Sequence, residues 1–253
     1  MEKDEHTLVV ENVVKDFGKL RAVDGVSMRV KQGEILSIIG PNGAGKTTFI
    51  NLITGGHTVS SGRIAFQGDD ITNLPAHKIS RKGISRSFQV ENIFGNLTVF
   101  ENVRIAVLAH RKETLKFFTD VDALEGVTSD TRDILAAVGL DDKRHMIAST
   151  LSHGDQRSLE IGIALASVPS LLLLDEPTAG MSPEETKTTV DLIRKIAREQ
   201  GLTVLFTEHD LKVVFSISER IIVLQQGSVI ADGTGDEIRN NKRVIEAYLG
   251  EEQ

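Results

Sequence analysis

The sequence has 253 residues, 40% of them hydrophobic, and a net charge of −7, which suits one large domain, or a core domain with a smaller lobe, and excludes global disorder. Acidic and basic residues are interspersed, which argues against a nucleic-acid binder with a basic face, and the absence of cysteine excludes disulfides and thiolate metal sites. The charged start Met1-Glu2-Lys3-Asp4-Glu5-His6 lacks a signal-peptide core, and no apolar run nears the length of a membrane span, so the chain is expected in the cytosol, held at any membrane by something else.

Residues 7–14 read as a strand rich in β-branched side chains, Lys15 to Gly18 as a turn, and Val26 to Val30 as a second, alternating strand. Phe17, an aromatic just before a turn, reads by position as a core side chain; its alternative role is a flat platform for a purine. The apolar run Ile35–Ile39 leads into Gly40-Pro41-Asn42-Gly43-Ala44-Gly45-Lys46-Thr47-Thr48, and Phe49–Ile53 has the look of a helix. Strand, glycine-rich turn and helix are the context in which G-x-x-x-x-G-K-[ST] cradles phosphate. Glycines let backbone N–H groups curl around an anion, and the helix start adds unpaired N–H groups and a positive dipole end. In that reading Lys46 reaches the β- and γ-phosphates and the Thr47 hydroxyl ligates Mg²⁺.

Gly62–Gly68 reads as a short strand between glycines, residues 75–83 as a short helix opened by Pro75, and Ile84–Phe88 as an alternating strand leading to Gln89. From about Val90 to Ala148 the spacing turns helical, at Val99–His110 and Asp130–Val138, with a polar loop near 112–130, which predicts a helical lobe inserted into an α/β core. Gly139 fits a helix C-cap and Asp141-Asp142 a turn. Leu151-Ser152-His153-Gly154-Asp155 opens a helix over Gln156–Ser167, as ordinary capping material or as a second anion-binding helix start.

The tetrad Leu171–Leu174 fits a strand buried on both faces of a parallel sheet and delivers Asp175-Glu176-Pro177 at its carboxyl end, where open α/β sheets place their chemistry. An Asp-Glu pair is commonly a solvated turn, but a phosphate loop upstream needs a Mg²⁺ partner. An amphipathic helix from Pro183 to about Gln200 ends at Gly201, and Thr203–Thr207 is the next parallel strand, carrying Glu208-His209-Asp210 at its end. Ile221–Leu224 and Ser228–Ala231 flank Gln226-Gly227 as a hairpin, and Val244–Leu249 closes the chain as a short helix.

In the order phosphate loop, Gln89, LSHGD at 151–155, LLLLDEP at 171–177 and His209, the chain resembles the ATP-binding subunit of ATP-binding-cassette (ABC) transporters from about Leu8 to Leu249. The resemblance implies an α/β fold: a P-loop NTPase core with a mostly parallel sheet and an antiparallel β subdomain (7–89 and 168–250), and an inserted α-helical lobe (90–167), all in one domain over 7–250. It implies ATP and Mg²⁺ as cofactors. Lys46 and the backbone of Gly40–Thr48 hold phosphates, Thr47 and Asp175 (the latter through water) hold the metal, and Gln89 joins metal and attacking water to the helical lobe. Glu176 is the general base or water-orienting group and His209 the γ-phosphate switch, while Phe17 moves from core to adenine platform.

LSHGD resembles the family signature LSGGQ, whose Ser152 and Gly154 equivalents meet ATP bound to the other subunit; two chains in head-to-tail symmetry then bury two ATP molecules. His153 and Asp155 depart from that signature, as does Ser182 where many relatives carry aspartate. LSHGDQRSLEIGIAL, DEPTAGMSPEET and RVIEAYLGEE resemble the ATPases of branched-chain amino-acid importers, with urea and amide importers and a lipopolysaccharide-export ATPase as near relatives. The partners implied are membrane permease subunits, a second cassette (a copy or a paralogue), and a periplasmic binding protein that reads the substrate, with no nucleic acid; a cytoplasmic helix of the permease would enter a groove near Gln89–Val99. A soluble ABC ATPase would carry two cassettes or a long coiled-coil insertion, and a GTPase would carry N-K-x-D where Asn241-Lys242-Arg243-Val244 stands. A non-hydrolysing binding module would lack Lys46 or Glu176.

Overall fold

The first two strands extend well beyond their β-branched centres. In the computed structural model, which describes residues 6–87, 93–111 and 125–249, β1 (His6–Phe17) and β2 (Leu20–Lys31) form an antiparallel ribbon. The turn is Gly18-Lys19 alone; Lys15, Asp16 and Phe17, expected in a turn, are paired strand. β3 (Ile35–Ile39) feeds the phosphate loop, and α1 (Lys46–Ile53) starts at the lysine itself. β4 (Ser61–Phe66) pairs with β1, and β5 (Asp69–Asp70) adds a short edge. α2 (Ala76–Arg81) follows Pro75, whose fixed φ suits a helix entrance, and β6 (Ile84–Ser87) runs up to the position before Phe88.

α3 (Val99–His110) matches its expected limits because Thr98 and Glu101 form a reciprocal capping box. α4 (Glu125–Ala137) begins earlier than its apolar spacing showed, and α5 (His153–Leu165) begins three residues early, at the N-cap Ser152. β7 (Leu171–Asp175), α6 (Pro183–Gln200) and β8 (Thr203–Thr207) follow; α6 opens with a Ser182/Glu185 capping box and closes at Gly201 with φ 60°. The sequence pattern did not reveal α7 (Leu211–Ile217), which Asp210 caps. β9 (Arg220–Gln225) and β10 (Ser228–Gly233) make the expected hairpin; Gln226 (φ 48°) and Gly227 (φ 82°) take the two left-handed positions of a tight turn. α8 (Gly235–Arg239) and α9 (Lys242–Leu249) are the last elements among the described residues.

Among the described residues two sheets result, one antiparallel in the order β2-β1-β4-β5 and one of six strands in the order β10-β9-β3-β8-β7-β6, with β9 to β6 parallel and β10 antiparallel at the edge. The apolar runs serve both faces of the larger sheet by simple alternation. Ile35, Ile39, Leu172, Leu174, Val204 and Phe206 face a core shared with α3 to α6, whereas Leu36, Ile38, Leu171, Leu173 and Leu205 face one shared with α1 and the antiparallel sheet. The helical lobe is thus rooted on one face of the sheet, and the three strands that carry the predicted chemistry, β3, β8 and β7, lie side by side. Among the described residues, no helix is long and apolar enough to cross a membrane.

Candidate functional site

The phosphate loop leaves the carboxyl end of β3 in a form that only glycine can take at two places. A Cβ on Gly40 (φ 151°) would lie 2.1 Å from the Leu224 carbonyl oxygen, and one on Gly45 (φ 100°) 2.4 Å from that of Ala22. The loop is pinned from outside by the Gly227 N–H, which donates to the Ala44 carbonyl at 3.0 Å. Lys46 is buried and folds its ammonium back onto the loop, donating to the carbonyls of Gly40 (2.5 Å) and Pro41 (3.0 Å). A cation anchored inside a ring of backbone, at the start of an α-helix, has the charge and shape that suit a polyphosphate. Asn42, Gly43 and Thr47 are exposed around it and Thr48 is half-buried, so the hydroxyl of Thr47 is open to an incoming ion.

The neighbouring strand ends bring the carboxylates together. Asp175 is 1% exposed; its Oδ1 accepts from Thr207 Oγ1 at 2.5 Å and its Oδ2 from Arg86 Nη2 at 2.9 Å. The next residue, Glu176, has φ 48°, an uncommon conformation for a side chain without glycine's freedom, held by its N–H donating to the Thr207 carbonyl at 3.1 Å. Its Oε1 stands 2.8 Å from Nε2 of His209 at the end of β8. Glu208, beside it, is 4% exposed and ties the two strand ends together: Oε1 accepts from the Thr178 N–H (2.9 Å) and hydroxyl (2.5 Å), Oε2 from the His209 N–H (2.9 Å).

The predicted signature turn sits at the start of α5. Ser152 caps the helix by accepting from the Asp155 N–H at 3.2 Å, and its side chain is exposed. The Gly154 N–H donates to Glu185 Oε1 of α6 at 3.3 Å. One turn on, Arg157 donates to the Asp175 carbonyl at 2.9 Å, so α5 is fastened to the residue whose carboxylate it overlooks. A crevice of about 190 Å³ lined by His153, Arg157, Glu160, Asp175, Glu176 and Met181 separates the two. Phe17 is 43% exposed and therefore not a core residue; His57 meets its ring edge-on at 5.3 Å and the Lys15 ammonium lies 4.8 Å from its centroid. Gln89 lies outside the described residues.

Of the predicted residues, the structure gathers Gly40–Thr48, Asp175, Glu176 and His209 along one edge of one sheet, and sets Ser152 and Phe17 on exposed surfaces away from the core. Sequence reading missed Arg86, Asn51, Arg157, Thr207, Glu185 and Glu208. Arg86 and Glu208 carried a signal, as charged residues at or near the carboxyl ends of otherwise buried strands; the others acquire their partners only through tertiary contacts.

A family model described as ABC transporter matches residues 23–179. The chain belongs to the ABC transporter family. A second model, described as branched-chain amino acid ATP-binding cassette transporter, matches residues 228–253 of this cassette. The cassette is 41% identical over 251 residues to the high-affinity branched-chain amino acid transport ATP-binding protein BraF of Pseudomonas aeruginosa, an alignment that covers 96% of this chain and 98% of that one. It is 39% identical over 251 residues to LivG of Escherichia coli, with the same coverage of both chains. Among solved structures, it matches a nucleotide-free ATP-binding cassette of an ABC transporter with TM-score 0.85 and 33% identity, covering 96% of this chain and 98% of that one. It also matches a dimeric cassette in a post-hydrolysis state with ADP and Pi, with TM-score 0.75 and 27% identity over 90% of this chain and 98% of that one. The α/β P-loop fold and the ATPase class expected from the sequence are both borne out.

Proposed function

We propose that this cassette powers uptake of branched-chain or similar amino acids, closing on ATP as one half of a cassette dimer and reopening after hydrolysis. The relatives named for branched-chain amino acid transport, aligned over nearly all of both chains, support the substrate class. The urea, amide and lipopolysaccharide alternatives have less behind them. In this reading the backbone of Gly40–Thr48 and Lys46 hold the phosphates, Phe17 stacks on the base, and Ser152 and Gly154 meet the nucleotide of the partner cassette. Thr47 and Asp175, the latter through water, would hold Mg²⁺, with Gln89 joining the ion to the attacking water. An exposed hydroxyl and a buried carboxylate are hard oxygen donors, and among the described residues no group of three or more His, Cys, Asp or Glu is arranged to hold an ion by itself, which fits an ion that shares its shell with substrate phosphates rather than one caged by protein. Bound there, the ion would neutralise charge on the phosphate oxygens.

The observation that carries the hydrolytic role is the Glu176–His209 pair at 2.8 Å, beside the Lys46 cradle. Glu176 is placed to take a proton from water, and His209, holding its carboxylate, keeps it from collapsing elsewhere. The partners would be permease subunits, a second cassette and a periplasmic binding protein, with the chain on the inner face of the cell membrane. The expected docking segment, Gln89–Val99, lies partly outside the described residues; a groove of about 750 Å³ lined by Ala76, Ile79, Arg86, Ala106, His110 and Ile163 opens between the helical lobe and the core, and a cytoplasmic helix of the permease would dock there instead. Glu176→Gln tests the hydrolytic role: phosphate release should fall by about 10²-fold or more while an ATP-bound dimer accumulates on size exclusion. Unchanged turnover would remove Glu176 from the chemistry.

A further inference from the structure

The carboxylate proposed to face the metal is already paired with a cation. Arg86, on β6, is almost as buried as Asp175: their side chains are 10% and 1% exposed, with 2.9 Å between Nη2 and Oδ2. Its other arm donates from Nη1 to Asn51 Oδ1 at 2.5 Å. Asn51 lies on α1 four residues after Thr47, on the same face of that helix one turn further on. One guanidinium therefore touches Asp175 directly and reaches Thr47 through a single helical turn. The same side chain lines the 750 Å³ groove between lobe and core, beside Glu160 and Ser87.

Two cations drawn to one carboxylate compete, because each repels the other and screening is weak at a buried site. We propose that Arg86 is a positioning residue that holds Asp175 in the nucleotide-free cassette and gives way when a divalent ion with its nucleotide takes that carboxylate. Its guanidinium then shifts toward the groove it already lines. Occupancy of the phosphate site is thereby reported at the groove, and by reciprocity a partner that draws Arg86 into the groove makes the carboxylate available. This rests on the reading of Asp175 as a metal-facing residue.

The test uses the full chain, Mn²⁺ and ADP, so that no turnover intervenes. Arg86→Gln should lower the nucleotide-free melting temperature, since it strips a buried carboxylate of its ion-pair partner, and should raise Mn²⁺ affinity of the ADP-loaded protein roughly five- to tenfold by electron paramagnetic resonance titration. A merely structural role would lower the melting temperature and leave Mn²⁺ affinity alone; that result, or a weaker affinity, overturns the proposal. Asp175→Asn is run beside it. If it loses Mn²⁺ affinity while Arg86→Gln changes nothing, only the role of Arg86 fails. If it keeps wild-type affinity, the metal-facing reading of Asp175 fails first. In the wild-type chain the side-chain nitrogen resonances of Arg86 should shift when Mg²⁺ and ADP are added together and not with ADP alone; resonances that stay put refute the exchange even if the variant does not fold.

Discussion

Glu208 is the residue whose removal should expose how this site is held together. Its carboxylate, 4% exposed, accepts three close bonds: the Thr178 N–H at 2.9 Å, the Thr178 hydroxyl at 2.5 Å and the His209 N–H at 2.9 Å. Thr178 is itself buried, so Glu208→Ala leaves its donors facing an apolar gap. Each hydrogen bond to a charged group contributes about 1.5–3 kcal/mol; because the three share one carboxylate and water can enter the space, about 3–4 kcal/mol is the expected loss rather than their sum. For a chain of this size that lowers the melting temperature by about 10 °C. The same truncation unties the segment after Glu176 from the end of β8, so the 2.8 Å Glu176–His209 pair loses its frame. Turnover should fall about 10- to 100-fold with little change in nucleotide affinity, as expected when a reacting group is misplaced by an ångström or less. Differential scanning calorimetry and a phosphate-release assay measure both. A melting temperature lowered by less than about 3 °C, or unchanged kcat, would mean that the two strand ends do not depend on this carboxylate.

Phe17→Ala should weaken nucleotide binding by about 1–3 kcal/mol, the range for loss of one base–aromatic stack, raising KM with kcat at saturation preserved. The ring is 43% exposed, so stability should barely move, and fluorescent-nucleotide titration showing wild-type affinity would return Phe17 to a surface role. The capping-box carboxylates Glu101, Glu185 and Glu237 are held below the ordinary glutamate pKa, first by the backbone N–H groups of Thr98, Ser182 and Thr234 and then by their hydroxyls. With the folded value depressed, their contribution is complete above the unfolded value of about 4.3 and is lost as pH falls through the folded value. Carbon-13 titration should show all three ionised below that pH, and an ordinary midpoint would contradict the caps.

How much of this was legible in the sequence follows from what each signal depends on. The phosphate loop, β7, β8 and the full span of α6 could be read because their signals are local: glycine spacing, continuous apolar runs, and a serine–proline start with a glycine stop. The early start of α5 was missed because its first turn is polar and the Ser152 cap rather than apolar spacing sets it, and that of α4 because Glu125–Ser129 carries a single apolar side chain, Val127. α7 was missed for the opposite reason: Leu211–Ile217 is too short and too apolar to show a helical period. Phe17 had the wrong burial on position alone, since its strand continues to the turn and leaves the ring at an edge. Arg86, Glu208 and Arg157 could not be assigned partners at all, because Asp175 and Thr178, which they touch, arrive from β7 and the segment beyond it.

Two of the three departures, Asp155 and Ser182, have partners within the chain. Asp155, which replaces an amide and would repel a polyphosphate, is neutralised within the chain by Lys143 at 2.7 Å, while its N–H is taken by the cap Ser152. Ser182, standing where many relatives carry aspartate, is the N-cap of α6 and binds Glu185 through both its N–H (3.0 Å) and its hydroxyl (2.8 Å). The other oxygen of that same Glu185 accepts from the Gly154 N–H at 3.3 Å, and a Cβ on Gly154 would lie 3.3 Å from Glu185 Cγ. Signature turn and the segment after Glu176 are therefore joined through one glutamate, and a side chain at the glycine would press on it. A shift of α5 against α6 must break or carry this contact, so Ser182, by holding Glu185, steadies the link between the turn that would meet the partner's nucleotide and the helix that begins just after this chain's own carboxylates.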